Sequence, residues 1–231
     1  YVELVVEEIL PAVAEAFPDA FCDVSCDEGA FTCDETARIL AAAARLGLRG
    51  KVHSDEFANL GGTALAAEMG CISADHLVAA SAADLEAMAR AGTVAVVLPG
   101  TTVGLGSRRF ADGRAMVARG VPVALGSDHN PGTCPSENLP LMMALAVRYC
   151  GLQPAEAVVA ATRNAAHAVG RGDVAGRVAV GRPADLAVMD TDDYRDLTYR
   201  FGGNPAWGVL VDGRWAAPPG VATAAARRSP R

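Results

Sequence analysis

Short apolar runs alternate with amphipathic segments along most of this chain, and that alternation limits the folds open to it. Strand-like runs begin near residues 20, 50, 72, 94 and 121, at intervals of 22 to 30 residues. Val94-Ala95-Val96-Val97-Leu98 is apolar throughout and ends at Pro99-Gly100. Between such runs lie segments of helical period; one opens at Ser81, a helix-capping residue, and closes at Gly92. Apolar strands separated by helices predict a parallel sheet covered on both faces. An eight-stranded β/α barrel uses about 31 residues per unit, so units of this size suit a TIM-like (β/α)8 barrel. Five units are visible, which is part of such a barrel. A doubly wound open sheet is the alternative, but Gly104-Leu105-Gly106 lacks the strand-then-helix context of a phosphate-binding turn.

Val2, Val5, Ile9, Val13 and Phe17 place a helix over residues 2–16, with Pro11 either kinking it or starting a new segment. Further helices are predicted over 34–46, 64–69, 108–119, 136–150 and 154–169, and Gly47 and Gly120 each stop one. Beyond this series the pattern changes. Residues 178–190 and 207–211, the latter followed by Asp212-Gly213, read as strands of a separate small β-sandwich. The last residues are rich in Ala, Pro and Arg. The expected organisation is therefore a partial barrel over 1–177, small-domain strands over 178–215 and a disordered tail over 216–231.

The net charge of −7 argues against nucleic acid or an anionic membrane as partner, since both recruit clustered Lys and Arg. No apolar run reaches the roughly 20 residues of a membrane span, and no charged-then-apolar leader opens the chain. The six cysteines form no Cys-x-x-Cys pair, so buried thiols in a reducing compartment, the cytoplasm, are expected in preference to a metal role for Cys22 and Cys26. The chain opens at Tyr1 within a helix, as part of a longer protein would.

Chemistry concentrates at strand ends. His53 and His76 end the second and third strands, and Asp128 follows the fifth in Gly126-Ser127-Asp128-His129-Asn130-Pro131-Gly132-Thr133. In a parallel barrel such positions gather on one face, and two histidines with an aspartate suit a metal and its activated water. Glu56, three residues beyond His53, is placed to shuttle protons, with Asp55 as its rival. His129 should point away from that face. His167 lies near the end of an Ala-rich helix, where a cation is favoured for structural reasons.

These residues carry a resemblance. His53-x-x-Glu56, His76 and Asp128, in this spacing, resemble the later strands of an amidohydrolase-superfamily barrel. The segments Val52-His53-Ser54-Asp55-Glu56-Phe57, Ser73-Ala74-Asp75-His76, Asp128-His129-Asn130-Pro131-Gly132-Thr133 and Gly181-Arg182-Pro183-Ala184-Asp185 narrow it to the imidazolonepropionase family. The resemblance implies metal-dependent hydrolysis of 4-imidazolone-5-propanoate to N-formimidoyl-L-glutamate, in histidine degradation, with Zn2+ or Fe3+. It implies His53 and Asp128 as metal ligands, and Glu56 and His76 as groups that meet the ring and move protons. Asn130, Gly132 and Thr133 would hold the substrate. It also implies a cytoplasmic homodimer. A ring-deaminating relative and, in another class, a non-catalytic binding module are the alternatives. The family pattern further requires a His-x-His pair on an early strand; none occurs here, and no histidine precedes His53. The expectation is a C-terminal fragment that is inactive by itself.

Overall fold

A computed structural model describes residues 1–217. The chain enters through α1 (Val2–Leu4), a π-helical segment (Val5–Ile9) and α2 (Leu10–Ala16). The backbone stays right-handed helical through Leu4, Ile9 and Leu10, so Pro11 lies inside one continuous helix, just after its π-helical turn. Then β1 (Phe21–Cys26), α3 (Cys33–Arg45), β2 (Arg49–Ser54), α4 (Gly62–Glu68), β3 (Ser73–His76), α5 (Ala82–Ala91) and β4 (Val94–Val97) alternate. They are followed by α6 (Pro99–Gly104), α7 (Gly113–Ala118) and β5 (Val123–Leu125). The strands lie in the order β1-β2-β3-β4-β5, and β1 to β4 pair parallel. Sequence order equals spatial order, as a β/α barrel requires and a doubly wound sheet does not.

The chain divides into two compact units. The first comprises residues 1–98 and 109–124; the second comprises 99–108 and the chain from Leu125 onward.

In the first unit, local signals set the helices. Thr32 and Glu35 close a capping box on α3, and Ser81 and Asp84 close another on α5. Gly47 and Gly92 leave these helices at φ of 83° and 75°, a left-handed conformation that costs glycine little. Ile39, Leu40, Val52, Ala74, Met88, Ala95 and Val97 form the core, each at most 2% exposed. The helix expected over 108–119 is shorter, because Asp112 caps it by accepting the Ala115 N–H at 2.8 Å.

The second unit contains α6, which the sequence pattern missed. Pro99 has the look of a strand terminator in the sequence, yet it opens this helix, whose first N–H would have had no partner in any case. Here too lie α8 (Leu139–Tyr149), α9 (Pro154–Val159), a π-helical segment (Ala160–Asn164) and α10 (Ala165–Ala168). An antiparallel sheet follows, of β6 (Leu186–Met189), β7 (Ala206–Val211) and β8 (Arg214–Ala217), with α11 (Asp196–Tyr199) between β6 and β7. Asp212 and Gly213, at φ of 48° and 74°, make the tight turn between β7 and β8. The expected tail is corrected at its start, since Ala216 and Ala217 lie in β8; the remainder of that stretch lies outside the described residues. The division into units also runs differently from a boundary at residue 178. Gly100 and Gly104 have no side chain between α6 and its neighbours Met142, Cys134 and Thr133, and this packing ties α6 to the second unit.

Candidate functional site

In the first unit, strand pleating places Asp23 and Ser25, Lys51 and His53, and Ser73 and Asp75 on one face of β1–β3. Val24, Val52 and Ala74 face the other way into the core. The face is polar, and its charges are paired. Lys51 donates to Ser73 Oγ and lies 3.2 Å from Asp75 Oδ2, with Ser73 also donating to Asp75 at 2.7 Å. Burial pushes the Asp75 carboxyl above the usual range; the Lys51 ammonium and the Ser73 hydroxyl oppose that shift. His53 Nδ1 meets Asp23 Oδ1 at 2.8 Å. Asp23, His53 and Asp75 offer ligand atoms all within 4.8 Å of one another.

His76 pairs with Ser54, and simple alternation would therefore put it on the face opposite His53. It adopts φ 78°, outside the range of ordinary strand residues, and its ring comes to 5.2 Å from that of His53. Left-handed backbone at a non-glycine residue costs about 1–3 kcal/mol and collects at functional sites. Glu56 Oε1 lies 3.7 Å from His76 Nδ1. Three of the residues expected from the sequence thus come together in this unit: His53, Glu56 and His76.

Glu56 owes its place to Asp27. The Asp27 carboxylate accepts backbone N–H groups of Glu56, Phe57 and Ala58 at 2.5, 3.2 and 3.2 Å, and that of Glu28 at 2.7 Å. Asp55, the rival proton carrier, is fully buried and accepts the Leu60 N–H. Burial raises its carboxyl above the usual range. It faces inward, whereas Glu56 is partly open to solvent.

Asp128 belongs to the second unit, three residues beyond β5, at φ 51°. Its carboxylate accepts the Thr101 hydroxyl from α6. Asn130 closes the following loop on itself: its amide donates to the Asp128 carbonyl at 2.7 Å and accepts the N–H groups of Gly132 and Thr133 at 2.9 and 2.7 Å. The Asn130 amide is thereby committed inside the loop. His129 is exposed. The His167 ring lies close against Gly172, where an added Cβ would come within 2.2 Å of Nδ1, in keeping with a packing role.

All six cysteines are free thiols. Burial pushes Cys22, Cys26 and Cys71 up to about 11, so they stay protonated at neutral pH and make poor ligands. Sequence reasoning missed Asp23, Asp27, Lys51 and Asp75. For three of them a signal existed: Asp23 and Ser25, Lys51 and His53, and Ser73 and Asp75 each stand two apart within strands, the spacing of residues on one face.

Two strand-end histidines therefore lie together on a parallel sheet, one against the Asp23 carboxylate and the other beside Glu56. Residues 30–216 match the Amidohydrolase family, and the chain belongs to that family. The imidazolonepropionase of Alkaliphilus oremlandii is 44% identical over 214 residues, covering 93% of this chain and 51% of that protein. That of Symbiobacterium thermophilum is 46% identical over 215 residues, with the same two coverages. The chain spans about half the length of the curated relatives it matches. Among solved structures, an adenosine deaminase from Xanthomonas campestris with bound zinc has a TM-score of 0.78 at 20% identity, over 95% of this chain and 60% of that one. A triazine hydrolase variant gives 0.77 at 20% identity, over 95% and 56%. These likenesses bear out the α/β amidohydrolase-type fold. Among the described residues, no helix is long and apolar enough to cross a membrane.

Proposed function

We propose that the native protein carrying this chain is an imidazolonepropionase: a metal-dependent hydrolase that opens the cyclic amide of 4-imidazolone-5-propanoate to N-formimidoyl-L-glutamate. The observation that carries the reading is the grouping of His53, His76 and Glu56 at strand ends, in a chain so similar to proteins of that name. The donor chemistry fits a metal. An imidazole whose Nδ1 is held by a carboxylate is the usual state of a metal-ligating histidine, and a His and Asp donor set suits zinc or iron. His53 and Asp128 are the proposed ligands, two of the donors such an ion takes. When bound, the ion supplies Lewis-acid polarisation of a carbonyl and a water-derived nucleophile at neutral pH.

The chain's own residues handle the protons. Water adds to the ring carbonyl carbon, and the Asp128 carboxylate accepts the proton that the water loses. The bond from that carbon to the ring nitrogen then breaks. The nitrogen leaves with a proton from Glu56 or His76, whose mutual contact lets one recharge the other. The new carboxylate becomes part of the glutamate product. Asn130 shapes the loop that presents Gly132 and Thr133 to the substrate's far end. Free thiols suit a reducing, cytoplasmic setting.

The test is direct. The native full-length protein, loaded with Zn2+ or Fe3+, should consume 4-imidazolone-5-propanoate with loss of its ultraviolet absorbance. Absence of turnover in the metal-loaded protein rejects the reading, and ammonia release from a purine, pyrimidine or pterin would move it to the ring deaminases.

A further inference from the structure

Asp23 has no part in the reaction just described, yet its carboxylate meets His53 directly. Its Oδ1 lies 2.8 Å from Nδ1, and both side chains are one-third exposed, open enough for an ion to approach. An imidazole has two distinct nitrogens, and the partner of one decides which is left to a metal. With Nδ1 turned to Asp23, a metal taken by this ring binds through Nε2. We propose that Asp23 is the positioning residue of the metal centre: its carboxylate fixes the His53 ring so that Nε2 is presented to the ion. This rests on His53 being a metal ligand, as proposed above.

A rival reading comes from the same geometry. Asp23, His53 and Asp75 stand close enough together to hold an ion themselves. Lys51 decides against it. Its ammonium lies 3.2 Å from Asp75 and bonds Ser73, on side chains only 14% and 8% exposed for Lys51 and Asp75. A divalent ion held by Asp75 would face that ammonium where solvent screens little. Asp75 therefore serves Lys51, and Asp23 serves His53. The trio is a charge-compensated floor beneath the ligand, and His53 would hold an ion through the ring nitrogen that Asp23 leaves open to it.

The two readings part at Asp23→Asn. An asparagine oxygen can still accept the Nδ1–H and hold the ring, but a neutral amide is a poor replacement for a carboxylate ligand. Zinc affinity is measured on the native full-length protein by competition with a chromophoric chelator, alongside the visible spectrum of the Co2+-substituted form. Asp23→Ala should lower zinc affinity about 10–100-fold, the usual cost of losing such a partner. Asp23→Asn should recover most of that loss and keep the parent Co2+ spectrum. Unchanged affinity in a folded Asp23→Ala protein overturns the proposal. So does an equal loss in both variants with fewer zinc ions per chain, which would make Asp23 a ligand. Should Asp23→Ala fail to fold, the Asp23→Asn affinity and Co2+ spectrum still decide. His53→Ala separates the premise: if it leaves zinc binding intact, the ligand role of His53 fails and the Asp23 proposal with it. If His53→Ala loses zinc and Asp23→Ala does not, only the positioning role is wrong.

Discussion

The loop after β2 and the loop after β5 both follow a strand of the same parallel sheet, and both present residues proposed for the reaction. They are held in opposite ways. The first is clamped from a distance, by an Asp27 carboxylate that reaches it from the end of β1, 29 to 31 residues back along the chain. The second is closed by its own residues, with Asn130 bonding atoms two and three positions away. It also meets α6, through the Thr101 hydroxyl on Asp128 and the close approach of Gly104 to Thr133. Loops that follow strands can thus be fixed by tertiary structure or by turn chemistry, and the two should respond differently to substitution.

Asp27→Ala strikes the long-range clamp and should have the largest effect. Three N–H groups of the β2 loop lose a charged acceptor in a buried setting, a cost of about 3 kcal/mol. Chemical denaturation should register the loss, and turnover of the native protein should fall with it as Glu56 leaves its place. If stability holds, the clamp is not what orders this loop.

Gly104→Ala tests the second loop's tie to α6. An alanine Cβ would stand 1.7 Å from the Thr133 carbonyl oxygen, so helix or loop must move, at about 1–3 kcal/mol. A midpoint of thermal unfolding unchanged from the parent would show that this contact does not constrain the loop. Asn130→Ala, which removes local bonds alone, should cost less, about 1 kcal/mol, with little change in the rest of the molecule. An effect as large as that of Asp27→Ala would erase the contrast between the loops.

The smallest effect is electrostatic. Asn59, at the far end of the β2 loop, donates to Asp84 at 2.7 Å. Burial works to raise the Asp84 carboxyl, but the Ser81 hydroxyl and N–H and the Asn59 amide outweigh it and hold it below the usual range. A carboxyl depressed on folding adds stability above its unfolded value, about pH 4, and that contribution is lost as pH falls through the folded value. Asp84→Asn should therefore cost up to about 1 kcal/mol at pH 7, the scale of a helix cap. The gap from the parent should close under acid. Denaturation midpoints at pH 7 and pH 3 measure it, and a gap that widens in acid would contradict the assignment.

The same contrast explains what the sequence made legible. Turn chemistry is local, so the Asp128–Thr133 stretch announced itself as a loop, and the capping boxes at Thr32 and Ser81 marked their helices. His53, Glu56 and His76 could be singled out because each ends or follows a strand placed by the regular alternation of strands and helices. Asp27 could not: nothing in Cys26-Asp27-Glu28-Gly29 shows that its carboxylate spans to residues 56–58. α6 escaped for a different reason. A Pro-Gly pair signals a stop in most contexts, and only packing against Met142 and Cys134 shows that a helix begins there. The third strand of the small sheet, β8, was hidden in the Ala-rich composition of its surroundings.

Asp27 also sets an order of events. Its partners' amide protons lie on a loop, where exchange with solvent is ordinarily fast. Here the acceptor follows β1 and the donors follow β2, so the bonds hold for as long as that strand pair keeps the two loops in place. The amides of Glu56, Phe57 and Ala58 should therefore exchange with deuterium as slowly as those within the sheet. During folding they should become protected together with the β1–β2 pair, which makes these three loop amides reporters of when that part of the sheet has assembled.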